Sequence, residues 1–111
     1  MSKFIIRVQL HGAGPEEYTT LHEEMSSSGI LRRIHSDNDL WFDLPDGEYF
    51  ADGLAMSSES VRFLVQGIIW RTSPHGGDVM VTEIASASWS LHLWNPIQTY
   101  GRGYHKLSSV A

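Results

Sequence analysis

The chain has 111 residues, 41% of them hydrophobic and 19% charged, with a formal net charge of -5 and no cysteine. Such a composition fits one ordinary globular domain with a single core, and it excludes a disulfide framework, a thiol nucleophile and a thiolate zinc site. The acidic balance disfavours nucleic-acid binding through bulk charge, so any such contact needs a local basic patch.

The N-terminal apolar run Phe4-Ile5-Ile6 ends at Arg7. It is too short for a secretory or membrane-spanning segment, so a cytoplasmic protein with no membrane contact is expected. From Phe4 to Leu10, Phe4, Ile6, Val8 and Leu10 alternate with Ile5, Arg7 and Gln9, the period of a strand with one buried face. Gly12-Ala13-Gly14-Pro15 then breaks the strand. Pro15 suits a first helical turn, with Glu16 and Glu17 placed at the positive end of the helix dipole. Tyr18, Leu21, His22 and Met25 fall at helical spacing and predict an inward stripe.

Ile30 to His35 reads as a short strand, closed by the turn residues Ser36-Asp37-Asn38-Asp39, and Leu40 to Leu44 as its hairpin partner. Pro45-Asp46-Gly47 is a turn before Glu48-Tyr49-Phe50-Ala51, expected as a second piece of that strand, either offset by a bulge or reversing direction. Ser57 or Ser58 predicts an N-cap for a helix to about Arg71 with the stripe Val61, Leu64, Val65 and Ile68. Gly67 inside this helix hints at close packing there. The alternation from Val79 to Leu93 exceeds a usual strand and predicts either a bend near Ala85 to Ser88 or a protruding ribbon.

The order of periods is β-α-β-β-α-β, which usually closes as an antiparallel four-stranded sheet with both helices on one face. The expected fold is therefore an α+β, ferredoxin-like sandwich over residues 1–94, followed by an irregular C-terminal extension over residues 95–111.

Several short patterns carry a family resemblance: Lys3 to Leu10, Tyr18 to Met25 with Gly29, Leu44-Pro45 followed by Glu48-Tyr49, and Ala85 to Trp89. In these the chain resembles the GhoS-like antitoxins of type V toxin-antitoxin systems, and the resemblance implies an endoribonuclease that cuts its toxin's messenger. That family is also similar to small CRISPR-associated nucleases with an acidic residue at the end of the first strand. Here that strand closes on Leu10-His11-Gly12, with no carboxylate before Glu16.

Metal-free RNA cleavage suits histidine as acid or base and arginine as a clamp on the crowded phosphate. His22, His35 and Arg33 are the catalytic candidates, and Arg32, Arg33 and Arg7 the RNA-binding ones. Each has a plainer reading, His22 as a packed and hydrogen-bonded residue and the arginine pair as surface charge. Arg32 and Arg33 point to opposite faces if both lie in a strand, so only one can line a given site. His35, Asp37 and Asp39 have donors for a metal, but their spacing is that of a hairpin turn, and neither metal nor cofactor is expected.

Four tryptophans are many for this length. Trp89 and Trp94, with Tyr100 and Tyr104 of the tail, are expected to form a homodimer contact. A non-catalytic ferredoxin-like homodimer that binds another protein is the alternative to the RNA-acting reading. A third alternative, a small enzyme, predicts a pocket lined by Tyr18, His22, Trp41 and Trp89.

Overall fold

The computed structural model describes residues 2–94 and, in backbone only, residues 104–110. Its elements in chain order are β1 (Ser2–Leu10), α1 (Pro15–Ser27), β2 (Arg33–His35), β3 (Trp41–Asp43), β4 (Glu48–Leu54), α2 (Ser58–Thr72), β5 (Gly77–Ile84), β6 (Ala87–His92) and β7 (Tyr104–Val110). The protein is a small α+β fold with two helices and antiparallel sheets.

The predicted alternation in β1 places it at the centre of a three-stranded sheet, order β4-β1-β5. Phe4, Ile6, Val8 and Leu10 are buried with Tyr49 and Ala51 against Leu21 and Met25 of α1 and Val61, Val65, Ile68 and Ile69 of α2. Each large side chain so covered contributes about 1.5–3 kcal/mol, which makes this cluster the main source of stability. The helix starts follow their sequence signals. Pro15 opens α1, where the Glu17 carboxylate accepts a 2.9 Å hydrogen bond from the Gly14 N–H. Ser57 caps α2 by accepting from the Ser60 N–H at 3.1 Å.

The expected fourth strand of this sheet is reduced to a bridge. Leu31 and Phe50 exchange two backbone hydrogen bonds of 2.8 and 2.7 Å, and the chain then leaves the plane. Residues 33–35 pair with 41–43 as a separate hairpin. The reason is apolar: Ile34 and Phe42 join Phe50 in a second buried cluster, with Ile5 and Ile84 packed against it. A strand kept in the sheet plane would leave that second face of the sheet to water.

β6 adds Ala87, Trp89 and Leu91 to the same cluster, and Leu93 just after it joins them, following a bend at Ala85 that separates β6 from β5 as the long alternation predicted. The tail is a second correction to the expected fold. Residues 104–110 form β7, antiparallel to β6, rather than an irregular extension, because the alternating β6 offers a strand edge to pair with. The hairpin and β6 meet where Phe42 bridges Leu93 and the Trp94 N–H donates to the Trp41 carbonyl at 2.9 Å.

Candidate functional site

A cleft of about 790 Å³ opens where β4 stops covering β1. The β1–β4 register ends at Arg7 opposite Glu48, and the Val8 N–H then donates to the Gly47 carbonyl at 2.8 Å. Gly47 makes this ending: its φ is +82°, and a Cβ there would sit 3.0 Å from the Val8 carbonyl. Past it, Arg7 and Gln9 of β1, Met80 of β5, Tyr18 and His22 of α1, and Arg32 and Asp46 from the loops face one space.

The helical stripe that buries Leu21 and Met25 leaves Tyr18 and His22 at its margin, half-buried. The Tyr18 hydroxyl accepts from the Leu10 N–H at 3.0 Å, so its own proton remains to be donated. His22 Nδ1 lies 2.7 Å from the hydroxyl of Tyr49, a residue of the buried sheet face. Burial, followed by the nearby Arg32 cation, lowers the pKa of His22 from its ordinary 6.5, with Asp46 pulling the other way. Burial also pushes Tyr49 up to about 12.

Both groups are therefore neutral at pH 7, and the direction of their bond can be argued. If Nδ1 carried the proton, the Tyr49 proton would be buried with no acceptor among the described residues, which costs about 1–3 kcal/mol. Tyr49 O–H is thus the donor and Nδ1 the acceptor, which leaves the imidazole proton on Nε2. His22 accordingly offers the cleft an N–H donor.

Arg32 is half-exposed and lies 3.8 Å from Asp46, beyond hydrogen-bond reach. It also borders a second, smaller pocket of about 400 Å³ that it shares with Arg33, Asp43 and Trp94. The Arg33 guanidinium sits 4.1 Å from the ring centre of Trp94 and 5.5 Å from that of Trp41.

The residues expected to act together are divided between these places. Arg7, Arg32 and His22 come together in the cleft, while Arg33 lies in the adjoining pocket and His35 on the hairpin. His35 stacks on Trp41 with ring centres 4.5 Å apart and bonds Asp39 at 2.7 Å. The enzyme pocket expected from Tyr18, His22, Trp41 and Trp89 is corrected: the first two line the cleft, and both tryptophans belong to the second layer. Trp89 meets Phe42 edge-on at 5.7 Å, and Trp94 holds Arg33, so both rings are engaged within the chain. Of the other two dimer candidates, Tyr100 lies outside the described residues and Tyr104 is described in backbone only, as the first residue of β7.

Sequence reading missed Tyr49 as the partner of His22, and Gln9 and Met80 as cleft residues. The alternation of Tyr49 with Ala51 was the available signal for an inward tyrosine. Among the described residues no three side chains of metal-ligating type come together, and no helix is long and apolar enough to cross a membrane. No family model, curated protein or solved structure matches the chain.

Proposed function

We propose that this chain is a cytoplasmic, ferredoxin-like protein that acts on RNA as the GhoS-like antitoxins do, cutting a toxin's messenger, and that the cleft receives the scissile phosphodiester. In this reading the fourth ferredoxin-like strand has shrunk to the Leu31–Phe50 bridge. The observation that carries the functional reading is the convergence of donors: His22, Tyr18, Arg7 and Arg32 line one cleft in an otherwise acidic chain. Asp46 and Asp78 line the same cleft, so what it offers a phosphate is a set of placed donors rather than a net positive charge.

When the ribose 2′-hydroxyl gives up its proton to solvent water and its oxygen attacks phosphorus, the P–O5′ bond breaks, the 5′-oxygen takes a proton from water, and negative charge grows on the non-bridging oxygens in between. Guanidinium groups and fixed N–H and O–H donors stabilise that charge. His22 serves as such a donor through Nε2, with Tyr49 holding its tautomer, rather than as the base that removes the 2′-proton. His35 and Arg33 take no part in bond cleavage.

The test is gel-shift and cleavage assays on defined RNAs with wild type, Arg7→Ala, Arg32→Ala and His22→Ala. Each arginine variant is expected to weaken RNA binding by about 1.5–3 kcal/mol, the range for a hydrogen bond to a charged group, and to lower the salt slope by about one. Uncut and unbound RNA with the wild type, from low to physiological salt, rejects the reading.

A homodimeric module that binds another protein is the second reading, and one observation favours it. On the outer side of α2, Phe63 is 60% and Trp70 is 70% exposed. Large apolar rings left in water are common at subunit and partner contacts. Under that reading RNA fails to bind, and Trp70→Ser shifts the sedimentation of the purified protein toward the monomer.

A further inference from the structure

The outer edge of β5 is open among the described residues. Val8 of β1 turns its N–H to Gly47, so the even-numbered residues of β1 bond toward β4 and the odd-numbered ones toward β5. Arg7 and Gln9 stand opposite Met80 and Asp78, which places the backbone bonds of Asp78, Met80 and Thr82 inside the sheet. The N–H and C=O groups of Gly77, Val79, Val81 and Glu83 therefore point outward, in a sheet whose order ends at β5. β6 and β7 pair with each other in a separate sheet and do not close this edge.

Open edges usually carry a device that prevents pairing, such as a lysine, a proline or a bulge. β5 has none of these in its eight residues: its register with β1 runs unbroken from Gly77 to Ile84, and its charges, Asp78 and Glu83, stand near the two ends. Met80, at its middle, is 64% exposed. An edge this long and regular fits another extended strand, and its side chains select which one.

The strand is complementary to itself. In an antiparallel pairing about a two-fold axis at Met80, Val79 opposes the partner's Val81, Gly77 opposes the partner's Glu83, and Met80 meets the partner's Met80. Asp78 then opposes the partner's Thr82 in the closer, non-hydrogen-bonded kind of pair. His11 lies 3.2 Å from Asp78 Oδ2, which leaves Oδ1 to accept from the threonine hydroxyl. Moving the axis by one residue spoils the match. At Val81 it sets Asp78 against Ile84 and Glu83 against Val79, and at Val79 it sets Asp78 against Met80.

We propose that the β5 edge is a homodimer interface that joins two copies into one six-stranded sheet, β4-β1-β5-β5-β1-β4. Met80 lines the cleft, so the clefts of the two copies open side by side on the same face. Arg7 stands opposite Met80, which puts the two Arg7 positions three strand spacings apart, about 15 Å.

Sedimentation equilibrium at a series of protein concentrations, with amide hydrogen exchange at the same concentrations, tests the pairing. Wild type is expected to dimerise, and the amides of Val79, Val81 and Glu83 to gain protection as the dimer forms. Thr82→Asp sets carboxylates against each other at both symmetric pairs and is expected to weaken the dimer by about tenfold. Thr82→Lys offers a cation to the same carboxylate and is expected to tighten it by about threefold. Thr82 is exposed, and opposite shifts at one position are not what a damaged fold produces.

A chain that stays monomeric up to about 1 mM overturns the proposal. So does a dimer whose β5 amides exchange as in the monomer and which Trp70→Ser dissociates, because that result assigns the contact to α2. Protected amides with both Thr82 variants shifting the same way overturn the pairing at Met80. Neither measurement involves RNA, so this interface and the RNA reading of the cleft stand or fall separately.

Discussion

On one face of the β4-β1-β5 sheet Phe4, Ile6 and Tyr49 lie under two helices; on the other, Ile5, Phe50 and Ile84 lie under a short hairpin and β6. The helices cover β1 to its end, so the first face is closed from Phe4 to Leu10. The second cover stops partway, and beyond it Arg7, Gln9 and Met80 remain exposed. The cleft lies at that end of the sheet. The comparison teaches that the fold's main stability comes from the face covered along the whole of β1, while its candidate chemistry sits where the cover of the other face stops.

The largest expected effects test that division. Phe4→Ala and Phe42→Ala each remove a fully buried ring, at a cost of about 3–5 kcal/mol measured by urea unfolding. The two should differ in kind. Loss of Phe4 weakens the closed face and lowers protection against hydrogen exchange throughout the sheet. Loss of Phe42 falls at the lower end of the range and speeds exchange in β2 and β3, while β1 and β5 stay protected. Uniform loss of protection in both variants would show one indivisible core and erase the distinction.

A smaller effect of opposite sign separates the helix face that packs from the one that does not. The sequence suggested close packing at Gly67, but a Cβ placed there meets only the Arg71 guanidinium, at 3.8 Å. Gly67→Ala should therefore stabilise the protein by about 1 kcal/mol through helix propensity, read as a higher urea midpoint. A lower midpoint would mean that this side of α2 is covered after all.

Much of the closed face was legible in the sequence, because a strand's burial repeats every second residue and a helix's stripe every third or fourth. Phe4 to Leu10, Leu21 with Met25, Val61 with Val65, and the Ser57 cap all follow from neighbours within one turn of chain. The second layer was less legible because it depends on where the chain leaves the sheet. Nothing local distinguishes Leu31, which makes a bridge to Phe50, from Arg33, which begins a separate hairpin.

That single departure decides the candidate site. It sends Arg32 toward His22 and Arg33 toward Trp94, a division the sequence allowed by placing the pair on opposite faces but could not assign. The bond between His22 and Tyr49 spans 27 positions and comes from the pairing of β4 with β1, which local periodicity does not encode.

The smallest effect expected is also the one that tests this assignment of the two arginines most directly. His22 has its folded-state pKa below its ordinary 6.5, first from burial and then from Arg32. Below 6.5 the unfolded chain takes up this proton before the folded one, so stability from the neutral ring is complete above that pH. It is lost progressively as pH falls from there toward the lowered value. His22→Gln should lack this slope relative to wild type in urea unfolding across the same range. In an NMR titration, Arg32→Ala should move the His22 midpoint upward without restoring it fully, because burial, the larger cause, remains. Arg33→Ala should leave that midpoint where it is, since its guanidinium lies in the tryptophan stack of the neighbouring pocket. A midpoint that responds to Arg33 and not to Arg32 would reverse this assignment of the two arginines.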